Sequence, residues 1–77
     1  MIKLVNKETR QELGFLSEAD FAILQTELEV ENPEDTDYYI NKDTVEYMAE
    51  QGIPQTIIDL LNKALNGAEE ADIEWIP

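Results

Sequence analysis

Ala71-Asp72-Ile73-Glu74-Trp75-Ile76 alternates apolar and acidic residues strictly through Trp75. Side chains on a strand point to opposite sides in turn, so Ala71, Ile73 and Trp75 share one face while Asp72 and Glu74 take the other. The stretch reads as a half-buried strand, and a strand needs partners. An isolated two-stranded hairpin is marginal in water. This segment is therefore expected to join a hairpin from the other end of the chain and complete a sheet of three strands.

The hairpin is carried by Ile2 and Leu4, then Leu13 and Phe15, two short runs parted by the polar stretch Asn6-Lys7-Glu8-Thr9-Arg10-Gln11. A period of two places Ile2, Leu4, Leu13 and Phe15 on inward faces. No Asn-Gly or Asp-Gly pair marks a tight turn. Gly14, inside the second run, points to a bulge or a close backbone approach.

Three helices are expected between hairpin and last strand. Ser17 is placed to cap the first by accepting the Asp20 amide, and Leu16 and Phe21 have the spacing of a hydrophobic staple. Phe21, Leu24 and Leu28 form its apolar stripe. Glu27, Glu29 and Glu31 crowd its negative end, and Pro33 closes it. Tyr38, Tyr39 and Ile40 then read as a short extended or loop segment. Asn41 is the next cap, Val45, Met48 and Ala49 make a narrow inner face, and Gly52 is the stop. Pro54 suits the first turn of the third helix. Ile57, Ile58, Leu61, Ala64 and Leu65 give that helix a wide apolar stripe, ended by Asn66-Gly67. The order β-β-α-α-α-β is that of an α+β domain. Residues 1–77 make a single small domain, a three-stranded antiparallel sheet (hairpin plus C-terminal strand) packed against three helices.

Composition narrows the chemistry. The 77 residues hold 18 carboxylates against five Lys plus Arg, with no His and no Cys, for a formal charge of −13 at neutral pH. Without thiols there is no disulfide framework, thiolate zinc site or cysteine nucleophile. Without imidazole the usual acid–base residue near pH 7 is missing. The negative charge opposes direct binding to nucleic acid or to an anionic membrane surface. No apolar run approaches the roughly 20 residues that span a bilayer, and a cytoplasmic protein is expected. Charge is uneven along the chain. Residues 1–16 carry Lys3, Lys7 and Arg10 against Glu8 and Glu12, whereas residues 17–77 carry only Lys42 and Lys63 against all the other carboxylates.

Four segments, Leu4-Val5-Asn6-Lys7-Glu8-Thr9, Asp35-Thr36-Asp37-Tyr38-Tyr39-Ile40-Asn41, Leu60 to Leu65 and Ile73-Glu74-Trp75, together resemble a family of short acidic proteins of unknown function. Its members are met mainly in cyanobacteria, and many are automatically labelled galactosyldiacylglycerol synthase. The likeness covers nearly the whole chain, and the Asp-x-Asp-Tyr-Tyr-Ile stretch is its most specific element. Arg10 stands where a Gly commonly follows the Thr in that family, and Ile53 precedes Pro54 where an Asp is usual. The label implies a role in lipid or sugar metabolism, but the resemblance supplies no catalytic residues. A glycosyltransferase holds a nucleotide diphosphate with glycine-rich loops and basic or metal-bound clamps. The three glycines of this chain, Gly14, Gly52 and Gly67, form no such pattern.

The candidate binding residues are Glu34, Asp35, Asp37, Tyr38 and Tyr39. Glu31, Glu34, Asp35 and Asp37 offer hard oxygen ligands for a weak divalent cation site over residues 31–37. They lack the central Gly and distal Glu of a helix-loop-helix calcium loop, and acidic runs are more often solvated loops. Asp35 and Asp37 as a glycosidase pair would need a cleft that so small a domain rarely supplies. Tyr38 and Tyr39 read either as core cover or, with Tyr39 inward and Tyr38 outward, as an interface beside the acidic loop.

The expectation is a non-enzymatic acidic interaction or accessory module without a cofactor, whose protein partner carries a basic patch. A nucleic-acid mimic that binds a basic protein is the alternative. Self-association into a homodimer, through a sheet edge or packed helix faces, is also expected.

Overall fold

The computed structural model describes residues 1–32 and 34–77. The elements run β1 (Ile2–Asn6), β2 (Glu12–Leu16), α1 (Glu18–Glu27), β3 (Asp37–Asn41), α2 (Lys42–Glu50), α3 (Gln55–Leu65) and β4 (Glu70–Ile76). The fold is α+β with the three expected helices, but the sheet has four antiparallel strands in the order β2-β1-β4-β3, not three. The extra strand is β3, the Asp37–Asn41 stretch that read as an extended or loop segment. Its five residues show only one full alternation before Asn41 begins to cap α2, so its pattern alone is short for a strand. Pairing with β4 supplies what the pattern lacks, from Asp37↔Glu74 to Asn41↔Glu70.

β1 and β4 are the central strands, which explains why the alternating C-terminal segment decides the architecture. Leu4 lies opposite Trp75, and Tyr38 opposite Ile73, so these side chains share the face covered by helices. Leu4, Leu16, Leu24, Ile40, Met48, Ile57, Leu61 and Ile73 are the large side chains sealed completely inside.

The hairpin departs from a simple period of two. Register shifts between Leu4 and Val5, so that Leu4 pairs with Gly14 and Val5 with Glu12. Leu13 is the extra residue of this bulge, and both Leu13 and Leu16 become buried. Phe15, expected inward, is instead 51% exposed on the uncovered side. Gly14 answers the expected close approach: its φ is +149°, and a Cβ there would stand 2.6 Å from Leu60 Cδ2.

Helix boundaries follow their caps. Ser17 Oγ accepts the Asp20 amide at 3.1 Å, and Asn41 Oδ1 accepts the Thr44 amide at 2.8 Å. Pro54 occupies the cap of α3 itself, one residue before the helix. α1 stops at Glu27, well before the expected end near Glu31. Glu29 takes a left-handed φ of +53°, and the Glu29 and Val30 amides bond back to the Thr26 and Gln25 carbonyls. This early turn leaves Leu28 and Val30 packed against the core. The expected stop at Pro33 lies outside the described residues. No helix among the described residues is long and apolar enough to cross a membrane.

Candidate functional site

The helices cover one side of the sheet and leave the other open. Alternation assigns Lys3, Val5, Glu12, Phe15, Asp37, Tyr39, Glu70, Asp72 and Glu74 to the open side, since each faces another of this set across the ladders or lies two residues from one. The aromatic pair Tyr38 and Tyr39 is thereby split, in the opposite sense to the interface arrangement weighed from sequence. Tyr38 is core: it is 6% exposed, its ring lies 6.2 Å from Phe21, and its hydroxyl accepts a hydrogen bond from Gln25 Nε2. Tyr39 is 55% exposed on the open side and donates to Glu70 Oε2 at 2.9 Å. That hydrogen bond holds the Tyr39 phenol above its ordinary pKa, reinforced by the charges of Glu70 and Asp72 and opposed by Asn41.

The hairpin turn brings the N-terminal cations to this acidic face. Asn6 organises it, with Oδ1 accepting the Glu8 and Thr9 amides and Nδ2 donating to the Ala64 carbonyl at the end of α3. Arg10 takes a left-handed φ of +63°, a conformation that glycine adopts without strain. Lys7 Nζ then pairs with Asp37, and Arg10 pairs with Glu74 at 2.8 Å. The hydrogen bond and charge of Asp37 raise the Lys7 ammonium above its ordinary value, as Glu74 does for the Arg10 guanidinium. Val5, opposite Glu74 and Glu12, is only 5% exposed although it lies on the open side.

Glu34 and Asp35 lie in the exposed turn before β3. Their amides bond to the Asn32 side-chain oxygen and carbonyl, each at 3.0 Å. The Asp35 carbonyl accepts the Trp75 indole N–H at 2.7 Å, and the Thr36 carbonyl accepts the Trp75 amide at 2.9 Å. Trp75 also packs against Phe21 with centroids 5.0 Å apart. The acidic turn is thus latched to β4 through its backbone, leaving its carboxylates in solvent. Among the described residues, no three carboxylates converge into a group able to hold a metal ion.

Of the residues singled out from sequence, Asp37 and Tyr39 meet on the open face, Glu34 and Asp35 flank it, and Tyr38 turns away. Glu70, Asp72 and Glu74 complete the face and were not singled out. Their outward positions follow from the alternation of β4, but nothing short of the β3–β4 pairing places Tyr39 beside them.

Surface hollows are shallow. One of about 240 Å³ is lined by Lys42, Asn62, Leu65, Gly67 and Ala68. Two more, about 270 and 290 Å³, lie along α1 and share Ala22 and Thr26. None of these three sets two charged side chains against each other. The chain matches no family model, no curated protein and no solved structure.

Proposed function

We propose that this protein is a non-enzymatic acidic interaction module, working in the cytoplasm, that binds a protein partner through a patch rich in lysine or arginine. The observation that carries this reading is Tyr39, an exposed aromatic ring on the open sheet face bonded to Glu70 and paired across the ladder with Asp72. An aromatic face and a carboxylate side by side suit a guanidinium or ammonium, which gains from both the ring quadrupole and the charge. The same face already holds one lysine and one arginine of the chain itself, against Asp37 and Glu74. A formal charge of −13 adds long-range attraction, which raises the rate of encounter with a basic surface.

The test is affinity capture from the native cell extract on immobilised wild-type protein and on a Glu70→Gln, Asp72→Asn variant, at low and high salt. The expected partner is retained by wild type at low salt, released at high salt and depleted on the variant. Retention unaffected by salt and by both substitutions would exclude this reading.

A further inference from the structure

The sheet has two edges, and they are finished differently. On β2 the ladder slips at Leu13, and Lys63 Nζ reaches the Leu13 carbonyl at 3.3 Å. A bulge and an ammonium at the rim are devices that keep a foreign strand from pairing. β3 has neither. Its ladder with β4 runs in unbroken register over all five residues, and Asp37-Tyr38-Tyr39-Ile40-Asn41 holds no lysine, proline or glycine.

The phase of that ladder is fixed at its ends. The Trp75 amide donates to the Thr36 carbonyl at 2.9 Å, and the Lys42 amide donates to the Glu69 carbonyl at 2.8 Å. Antiparallel residues alternate between bonded and non-bonded pairs. Thr36, Tyr38, Ile40 and Lys42 therefore turn their backbone toward β4, and the N–H and C=O groups of Asp37 and Tyr39 point away from the sheet. Both residues are exposed.

We propose that this rim is a strand-addition site. An extended segment of the partner, with lysine or arginine at alternate positions, pairs along β3 through the backbones of Asp37 and Tyr39. Alternation sets its basic side chains on the open face, beside Asp37, the Tyr39 ring and the Glu70 carboxylate that Tyr39 holds. The inference rests on the basic-partner reading above and adds the conformation of the partner and the backbone groups that receive it. A second copy is the poorer occupant. Two β3 strands pairing antiparallel about Tyr39 would set each Asp37 opposite Asn41, with no cation in β3 to offset the repulsion between two molecules that each carry −13.

The probe is a short peptide alternating lysine and valine. Tyr39→Val and Tyr39→Pro both remove the ring, but only the proline removes the outward N–H, and it leaves the bonds to β4 intact. Tyr39→Val should bind within about fivefold of wild type. Tyr39→Pro should bind roughly tenfold more weakly than Tyr39→Val, through a lost hydrogen bond and a blocked rim. In wild type, saturating peptide should slow amide hydrogen exchange at Asp37 and Tyr39 and leave Glu46 and Glu50 unchanged, a readout independent of how well the proline variant folds. Salt-sensitive binding with equal affinity for the two variants and no protection at Tyr39 would overturn strand addition while sparing the basic-partner reading. No salt-sensitive binding at all would remove both. Tyr39 protection that grows with protein concentration in the absence of peptide would assign the edge to a second copy and overturn the proposal.

Discussion

On the helix side of the sheet, Leu4, Ile40 and Ile73 are sealed against Leu24, Met48, Ile57 and Leu61; on the open side, Lys7, Arg10, Asp37, Tyr39 and Glu74 meet one another in solvent. The first side is held by apolar burial, the second by pairs of polar groups distant in sequence. Charge divides along the same line. The helices and their connections carry twelve carboxylates and two lysines, whereas the hairpin and the sheet strands carry six carboxylates and three cations. Both ion pairs formed among the described residues belong to the second group. The cations of the hairpin turn are folded against β3 and β4, and most of the uncompensated charge is left on the helices and their connections. Under the proposed function, the helix layer would attract a basic partner from a distance, and the sheet would supply the contacts.

The sharpest way to break the comparison is to truncate one residue from each side. Ile73→Ala should lose about 2–5 kcal/mol of stability in chemical denaturation, because Ile73 is wholly inaccessible at the centre of the core. Phe15→Ala, on the open side, should lose less than about 1 kcal/mol. Similar losses at the two positions would mean that the open face is part of the fold's support.

Asn6 joins the two regions, since two of its three side-chain hydrogen bonds hold the hairpin turn and the third reaches the end of α3. Asn6→Ala should cost about 1–3 kcal/mol by the same measurement, an effect between those of the two truncations. A neutral result would show that the hairpin turn forms without its tie to the helix layer.

A smaller change, of opposite sign, is expected at the end of α1. Glu29 holds a left-handed conformation that disfavours a side chain, and it sets a carboxylate at the negative end of the helix. Glu29→Gly should raise the denaturation midpoint, by about 1 kcal/mol in stability. A loss would mean that the Glu29 side chain makes a contact worth more than the strain.

How much of this was legible depended on the range of the causes. Ser17 and Asn41 announced their helices because a cap is a local bond, complete within four residues. The stripe Ile57-Ile58-Leu61-Ala64-Leu65 announced α3 because every member faces the same core. β3 was hidden because five residues leading straight into a cap show too little alternation, and its identity comes from β4, some 30 residues away. Phe15 was misplaced because the bulge at Leu13 changes the phase of β2, and Gly14 hinted at a bulge without saying which residue was extra. The pair Tyr38 and Tyr39 was legible beside an acidic loop, but which ring faces out depended on the register with β4, and the interface arrangement weighed from sequence had Tyr38 outward. The acidic connection was visible at once, yet the carboxylates that surround Tyr39 come from β4, outside that run.

The central claim is that cationic side chains bind at Tyr39 and the carboxylates of β4. Its most direct test is the affinity of the alternating lysine–valine peptide for wild type and for the Glu70→Gln, Asp72→Asn variant, measured from low salt to about 1 M, where charges are screened beyond about 3 Å. The account predicts an affinity that falls steeply with salt in wild type and more gently in the variant, with the two converging at high salt. Equal affinities and equal salt slopes for the two proteins would contradict it.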